Sequence, residues 1–329
     1  MLSESAQLHA KILDTSPEAI PLRNGFGEGL VEAARADKNV VGLCADLTVS
    51  TRMEAFRNEF PDRFVEIGVA EQSLAVTASG MAAMGKIPFM TSYAMFSPGR
   101  NWEQIRTTIC YNDRPVKIVG SHAGISVGPD GGTHQAIEDI AIMRVIPRMV
   151  VVAPCDSVEA KKATLALATN GSPSYLRLAR EKTPVMTTSE TPFEIGKAYE
   201  MWRADMPQVV IIGCGPVLHN ALRAAQSLAN DISVVILNAH TIKPLDTETI
   251  ARLAAECGAV VTVEEHQIAG GMGSAVAEVV ARTNPVPIEF IGVHDVFGQS
   301  GKPDELMEHY GMGVSHIIDA LRRVVKRKK

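Results

Sequence analysis

Phe64-Val65-Glu66-Ile67-Gly68-Val69-Ala70-Glu71-Gln72 decides the fold: a β-rich run, a glycine, and then a carboxylate at the head of a helix. The helix that follows, over 72–84, is built from small residues, among them Ala75, Ala78, Ser79, Gly80, Ala82 and Ala83. The same strand-to-helix hand-over recurs on both sides. Apolar runs at 40–44, 64–67, 116–119 and 149–152 read as buried parallel strands, and 24–36, 72–84 and 158–168 as the helices between them. Strands alternating with helices in this way predict an open α/β sheet with helices on both faces.

Beyond Arg180 the pattern stops and then restarts. The stretch 183–194 is polar, rich in threonine and carries Pro184 and Pro192, which is linker chemistry. Strands are then expected at 209–212, 233–237, 259–263 and 288–292, with helices at 217–228, 247–256, 274–282 and 314–325. The chain is therefore read as two open α/β sheet domains, 20–182 and 195–329, preceded by a helical arm at 1–19. A length of 329 residues suits two cores better than one.

Composition narrows the function. Hydrophobic residues are 46% and charged residues 21%, so a packed globular protein is expected rather than a disordered one. A net charge of −5 and a pI near 6.0 give no reason to expect nucleic acid or an anionic membrane as partner. The one basic run, Arg322 to Lys329, suits the end of a solvated helix. Five cysteines without a CxxC spacing favour a reducing, cytoplasmic setting over disulfides or a zinc site. No basic leader and no apolar run of about 18 residues is present to suggest export or a membrane span.

Familiar phosphate loops fail. Gly213-Cys214-Gly215 has Leu218 where the dinucleotide fingerprint needs its third glycine. Gly270-Gly271-Met272-Gly273 opens a helix, where close strand–helix packing explains the glycines better than a ligand would. Three other places gather chemistry. Glu71 at a helix start is, taken alone, explained more simply by favourable charge at the N-terminus. Tyr93 and Phe96, in Thr91-Ser92-Tyr93-Ala94-Met95-Phe96, are aromatic faces at a strand end or ordinary core. Gly120 to Gln135 holds His122, Asp130 and His134 among glycines, a loop suited to bringing imidazoles near a ligand.

Taken in order, Glu71, Tyr93 to Phe96, and Gly128-Pro129-Asp130-Gly131-Gly132-Thr133-His134-Gln135 resemble the pyrimidine-binding domain of transketolases. Thr241-Ile242-Lys243-Pro244-Leu245-Asp246, Val263-Glu264-Glu265-His266 and the Gly270 to Gly273 segment are similar to the C-terminal domain of that superfamily. No GDG motif is present, so the resemblance implies that Mg²⁺ and the diphosphate of thiamine diphosphate are held mainly by a second, N-terminal subunit. It implies a homodimer of this chain within an α2β2 heterotetramer.

The resemblance also implies roles. Glu71 hydrogen-bonds N1′ of the aminopyrimidine, with a pKa raised by its pocket, and so promotes loss of the thiazolium C2 proton. Phe96 stacks on the pyrimidine, with Tyr93 nearby and Asp46 beside the cofactor. His122, Asp130 and His134 contact sugar hydroxyls and the phosphate end, and Arg23, Ser50 and Arg180 the phosphate. His122 and His134 join Glu71 as catalytic groups, and no metal ligand is assigned to this chain. The implied reaction is ketol transfer between sugar phosphates, as in the pentose phosphate pathway. A deoxyxylulose-phosphate synthase half and a 2-oxoacid dehydrogenase beta subunit remain the alternatives.

Overall fold

A computed structural model describes residues 1–328, so Lys329, the last residue of the basic run, lies outside the described residues. The first sheet has seven strands in the order Thr241–Lys243, Val150–Val152, Ser174–Arg177, Lys117–Ser121, Ile87–Tyr93, Val40–Cys44 and Phe64–Glu66. Every pairing is parallel except that of Thr241–Lys243 with Val150–Val152. The second sheet runs Ile288–Val293, Val260–Gln267, Val209–Gly213, Val234–Asn238 and Tyr199–Arg203, the last antiparallel. The central strands Val40–Cys44, Lys117–Ser121, Val209–Gly213 and Val234–Asn238 are buried at every position, as expected when helices cover both faces.

The predicted helices are present with ends moved by one or two residues: Leu22–Ala36, Glu71–Ala83, Ser157–Thr169, Leu218–Ser227, Thr247–Cys257, Met272–Arg282 and Val314–Lys326. One sequence expectation is corrected. The N-terminal segment is not a helical arm; its one helical piece before residue 19 is the 3-10 turn Glu4–Ala6. It lies along the second sheet instead, with Leu2 bridging Trp202, Ser3 N–H donating to Met201 O at 3.0 Å, and Ile12 buried in that core. Packing of the partly buried Leu2 on the edge strand and burial of Ile12 in the second-sheet core outweigh local helix propensity.

The stretch 183–194, between the two sheets, is held down at several points. Lys182–Pro184 pairs with Ala19–Pro21, and Lys162 Nζ donates to Thr188 O and Thr191 O. The buried Asp156 carboxylate accepts from Met186 N–H at 2.6 Å, Thr187 N–H at 2.5 Å and Thr187 Oγ1 at 2.8 Å. It also caps the helix Ser157–Thr169 by accepting from Glu159 N–H at 2.8 Å.

The two domains share packing. The strand Thr241–Lys243 comes from the C-terminal half yet edges the first sheet, and Lys243 Nζ reaches Arg144 O at 2.9 Å and Ile146 O. The buried Arg177, from the first sheet, donates to Asp139 Oδ2 at 2.8 Å and to Glu265 O of the second sheet at 2.8 Å. The basic run ends the last helix, where Arg323 and Arg327 pair with Glu289.

Asp156→Ala leaves three backbone donors and a hydroxyl without their acceptor in a dry place. Urea unfolding followed by circular dichroism is expected to show a loss of about 3 kcal/mol or more. A loss under 1 kcal/mol would mean that Asp156 does not pin 183–194.

Candidate active site

Open α/β sheets bind ligands beyond the carboxyl ends of their strands, where successive connections leave in opposite directions. In the first sheet that place lies between Val40–Cys44 and Ile87–Tyr93: the chain runs from Val40–Cys44 outward to Phe64–Glu66, then crosses back. Asp46, Glu71, Phe96, His122 and Arg180 all follow carboxyl ends of strands of this sheet, and Tyr93 ends its own strand. One fold feature thus gathers residues that are more than a hundred positions apart in sequence.

Glu66 joins two of these loops. Its carboxylate accepts from Asp46 N–H at 2.7 Å, Gly68 N–H at 3.0 Å and Thr48 Oγ1 at 3.0 Å. Asp46 is held at φ 57° and His122 at φ 59°, the left-handed region that costs a non-glycine residue energy. Asp46 has its backbone held by Glu66, and His122 has Nδ1 2.8 Å from Ser121 Oγ.

Glu71 opens the helix Glu71–Ala83 and is 5% exposed. Its two carboxylate oxygens accept from Arg100 Nη1 at 2.9 and 3.1 Å, and its carbonyl accepts from Asn101 Nδ2 at 2.9 Å. The same Arg100 guanidinium lies 4.3 Å over the Phe96 ring. Carboxylate and aromatic ring therefore face one flat, hydrogen-bonding group.

Around Phe96 the aromatic rings continue. Tyr93 and Phe96 have centroids 6.1 Å apart, Tyr93 stacks on His122 at 3.9 Å, and Phe96 meets His134 edge-on at 5.3 Å. Arg23 Nη1 is 3.2 Å from His122 Nε2 and donates to Ser50 O at 2.9 Å. Since a guanidinium only donates, Nε2 is the acceptor, which assigns the His122 proton to Nδ1, facing Ser121. Burial first, then the charges of Arg23 and Arg180 and neighbouring His134, push the His122 pKa down to about 3. His122 is thus a neutral imidazole, able to orient a hydroxyl but not to donate a proton as a cation.

Arg23 itself has a lowered pKa, from burial and then from Arg52 and Arg180. Its Nε is buried without a partner, so a donor and an excess of positive charge await an anion here. Arg180 is half-way out, donating to Val127 O at 2.9 Å and Glu181 Oε1 at 2.7 Å. Ser50 takes part through its carbonyl. Asp130, at the end of the turn Ile125–Asp130, is exposed, and no hydrogen bond or ion pair among the described residues joins it to the cluster. Glu66 and Arg100 are contributors that sequence reasoning did not assign. Glu66 stood in the decisive segment, whereas an arginine four residues past Phe96 carries no signal of its own.

The Gly270 to Gly273 segment proves structural. Glu264 accepts from Met272 N–H and Gly273 N–H, each at 2.7 Å, so that helix start already has its anion. A side-chain carbon at Gly271 would collide with the same carboxylate. Among the described residues no group of three His, Cys, Asp or Glu side chains could hold a metal ion.

A buried carboxylate, aromatic faces, a neutral imidazole and a guanidinium with an unpartnered Nε, gathered at the ends of parallel strands, make a candidate ligand site of the open α/β class. Residues 18–186 match the transketolase pyrimidine binding domain, and residues 198–317 the transketolase C-terminal domain. A Methanocaldococcus jannaschii protein named as a transketolase C-terminal section is 44% identical over 93% of this chain and 97% of its own length. A Clostridium sp. protein, 6-deoxy-6-sulfo-D-fructose transketolase subunit, is 38% identical over 93% of this chain and 95% of its own. A solved structure described as split gene transketolase, inactive beta4 tetramer, superposes with a TM-score of 0.88 at 38% identity, covering 94% of this chain and 100% of that one. The chain belongs to the transketolase family, and it aligns with these split relatives over nearly their whole length. Mouse transketolase-like protein 2, by contrast, is matched over 49% of its length.

The depressed His122 pKa has a readable consequence. Proton-detected NMR of the imidazole is expected to show no titration of His122 between pH 5 and 8. The unfolded chain takes up this proton near 6.5, so stability from His122 is complete above that pH and falls as pH drops toward about 3. A midpoint near 6.5 in the folded protein would contradict the assignment.

Proposed function

We infer that this chain is the C-terminal subunit of a thiamine-diphosphate-dependent transketolase, moving a two-carbon ketol unit between sugar phosphates with a separate diphosphate-binding subunit. The observation that carries this is the buried Glu71 carboxylate facing the same flat group as the Phe96 ring. That pairing fits an aminopyrimidine, a flat ring with a hydrogen-bonding edge. The bound cofactor supplies the carbanion chemistry that the side chains cannot. Glu71 would exchange a proton or hydrogen bond at N1′, Phe96 would hold the ring by its face, and Glu66 would fix the loop carrying Asp46.

On the substrate side, neutral His122 orients a hydroxyl, with His134 edge-on to Phe96 beside it. Arg23, with Arg180 near, meets the phosphate, and its unpartnered Nε supports an anion at that end. Ser50 shapes this end through its carbonyl bond to Arg23. Asp130 would reach the substrate only by movement of its exposed turn.

The partner is argued from what this chain leaves open. Val49, Val69, Val76 and Met95 are exposed apolar residues flanking the loops and helix that carry Asp46, Glu71 and Phe96. Val69, two residues before Glu71, is 70% exposed. A second subunit holding Mg²⁺ and the diphosphate, in an α2β2 assembly, would cover this face. Five free, buried cysteines support a cytoplasmic setting. Relatives named for sulfofructose and for apulose-4-phosphate show that the sugar varies among similar subunits.

Mixing the chain with its diphosphate-binding subunit, thiamine diphosphate and Mg²⁺ is expected to restore ketol transfer from a ketose phosphate to an aldose phosphate. Glu71→Gln should lower that rate about a hundredfold or more, the usual scale for losing a proton-transfer group. Full activity in the variant, or condensation of pyruvate in place of ketol transfer, would overturn the reading.

A further inference from the structure

Arg100 sits where the two contacts expected of an aminopyrimidine meet. Its Nη1 donates to both Glu71 oxygens while its guanidinium plane lies over Phe96 at 4.3 Å. A guanidinium is flat, has a face that stacks and an edge that donates, and so imitates a protonated heterocycle in both respects. Among the described residues its side chain makes no other hydrogen bond, and it is 51% exposed. It is held from one side: the guanidinium is half exposed while the carboxylate it pairs is buried, so solvent screens the pair in part and the ring contact is a single stack.

We propose that Arg100 is a movable placeholder for the cofactor's pyrimidine ring, covering Phe96 and pairing Glu71 in the free subunit, and swinging aside when thiamine diphosphate enters. This rests on the ketol-transfer reading for the identity of the ring. The arrangement has a physical use. Glu71 is buried, and a buried carboxylate without a partner is costly. Arg100 satisfies it until the ring arrives, and its exposure leaves a free path outward into solvent. The contact on Glu71 is then exchanged rather than added, which lowers cofactor affinity and keeps the lone subunit from capturing the pyrimidine end alone.

The test is calorimetric binding of thiamine diphosphate, with Mg²⁺, to the complex of this chain with its diphosphate-binding subunit. Arg100→Ala is expected to bind about three- to tenfold tighter than wild type, the scale of one exposed ion pair plus one stack. Arg100→Lys keeps the charge without the flat face and should fall between them. The gain should shrink when Glu71→Gln is the background, and narrow as salt screens the pair. Unchanged or weaker binding by Arg100→Ala would overturn the proposal, the latter by making Arg100 a support for bound cofactor or for Glu71. Failure of the ketol-transfer reading looks different: it appears as absent or Glu71-independent turnover, whatever the affinities.

Discussion

One carboxylate ties the site together. Glu66 accepts hydrogen bonds from the Asp46 and Gly68 backbones and from Thr48, so the loop after Val40–Cys44 and the loop leading to Glu71 are a single object. Without it, Asp46 would have no reason to hold a left-handed conformation, and the segment that delivers Glu71 would be free to move. Helix start, aromatic rings and imidazoles are then placed by the sheet itself, because parallel strands put all their following loops at one edge.

The second domain contributes by bracing. Thr241–Lys243 closes the edge of the first sheet, Arg177 reaches across to Glu265 O, and Asp156 holds the connecting segment against the helix Ser157–Thr169. These contacts are buried and strongly hydrogen-bonded, so the two domains behave as one support. The face around Glu71 is different, with the apolar side chains of Val49, Val69, Val76 and Met95 left in solvent. A rigid back and an open front are what a subunit needs if the other half of the site comes from elsewhere.

Much of this was legible from the residues. The parallel strands were readable because strands buried on both faces are continuous apolar runs, and the helices because they alternate with those runs. Glu71, Tyr93, Phe96, His122 and His134 were readable because the order of their segments resembles transketolases, and Arg23 because that resemblance implies it; the structure brings them together although Arg23 lies in the helix Leu22–Ala36. Thr241–Lys243 was not legible as a strand of the first sheet: three residues with a lysine carry no periodicity, and their partner is fixed only by the domain packing. The N-terminal segment misled because its local propensity is helical while its energy comes from burial on a distant sheet edge. Arg100 was invisible for a related reason, since an exposed arginine gains its meaning only from what it touches.

The central claim is that this chain holds one end of the cofactor and cannot hold the other. Titrating thiamine diphosphate and Mg²⁺ into the chain alone, the diphosphate-binding subunit alone, and their mixture tests it most directly. Saturable binding with one cofactor per pair of chains in the mixture, and none of comparable strength in this chain alone, is the predicted result. Equal affinity for this chain by itself would contradict the account.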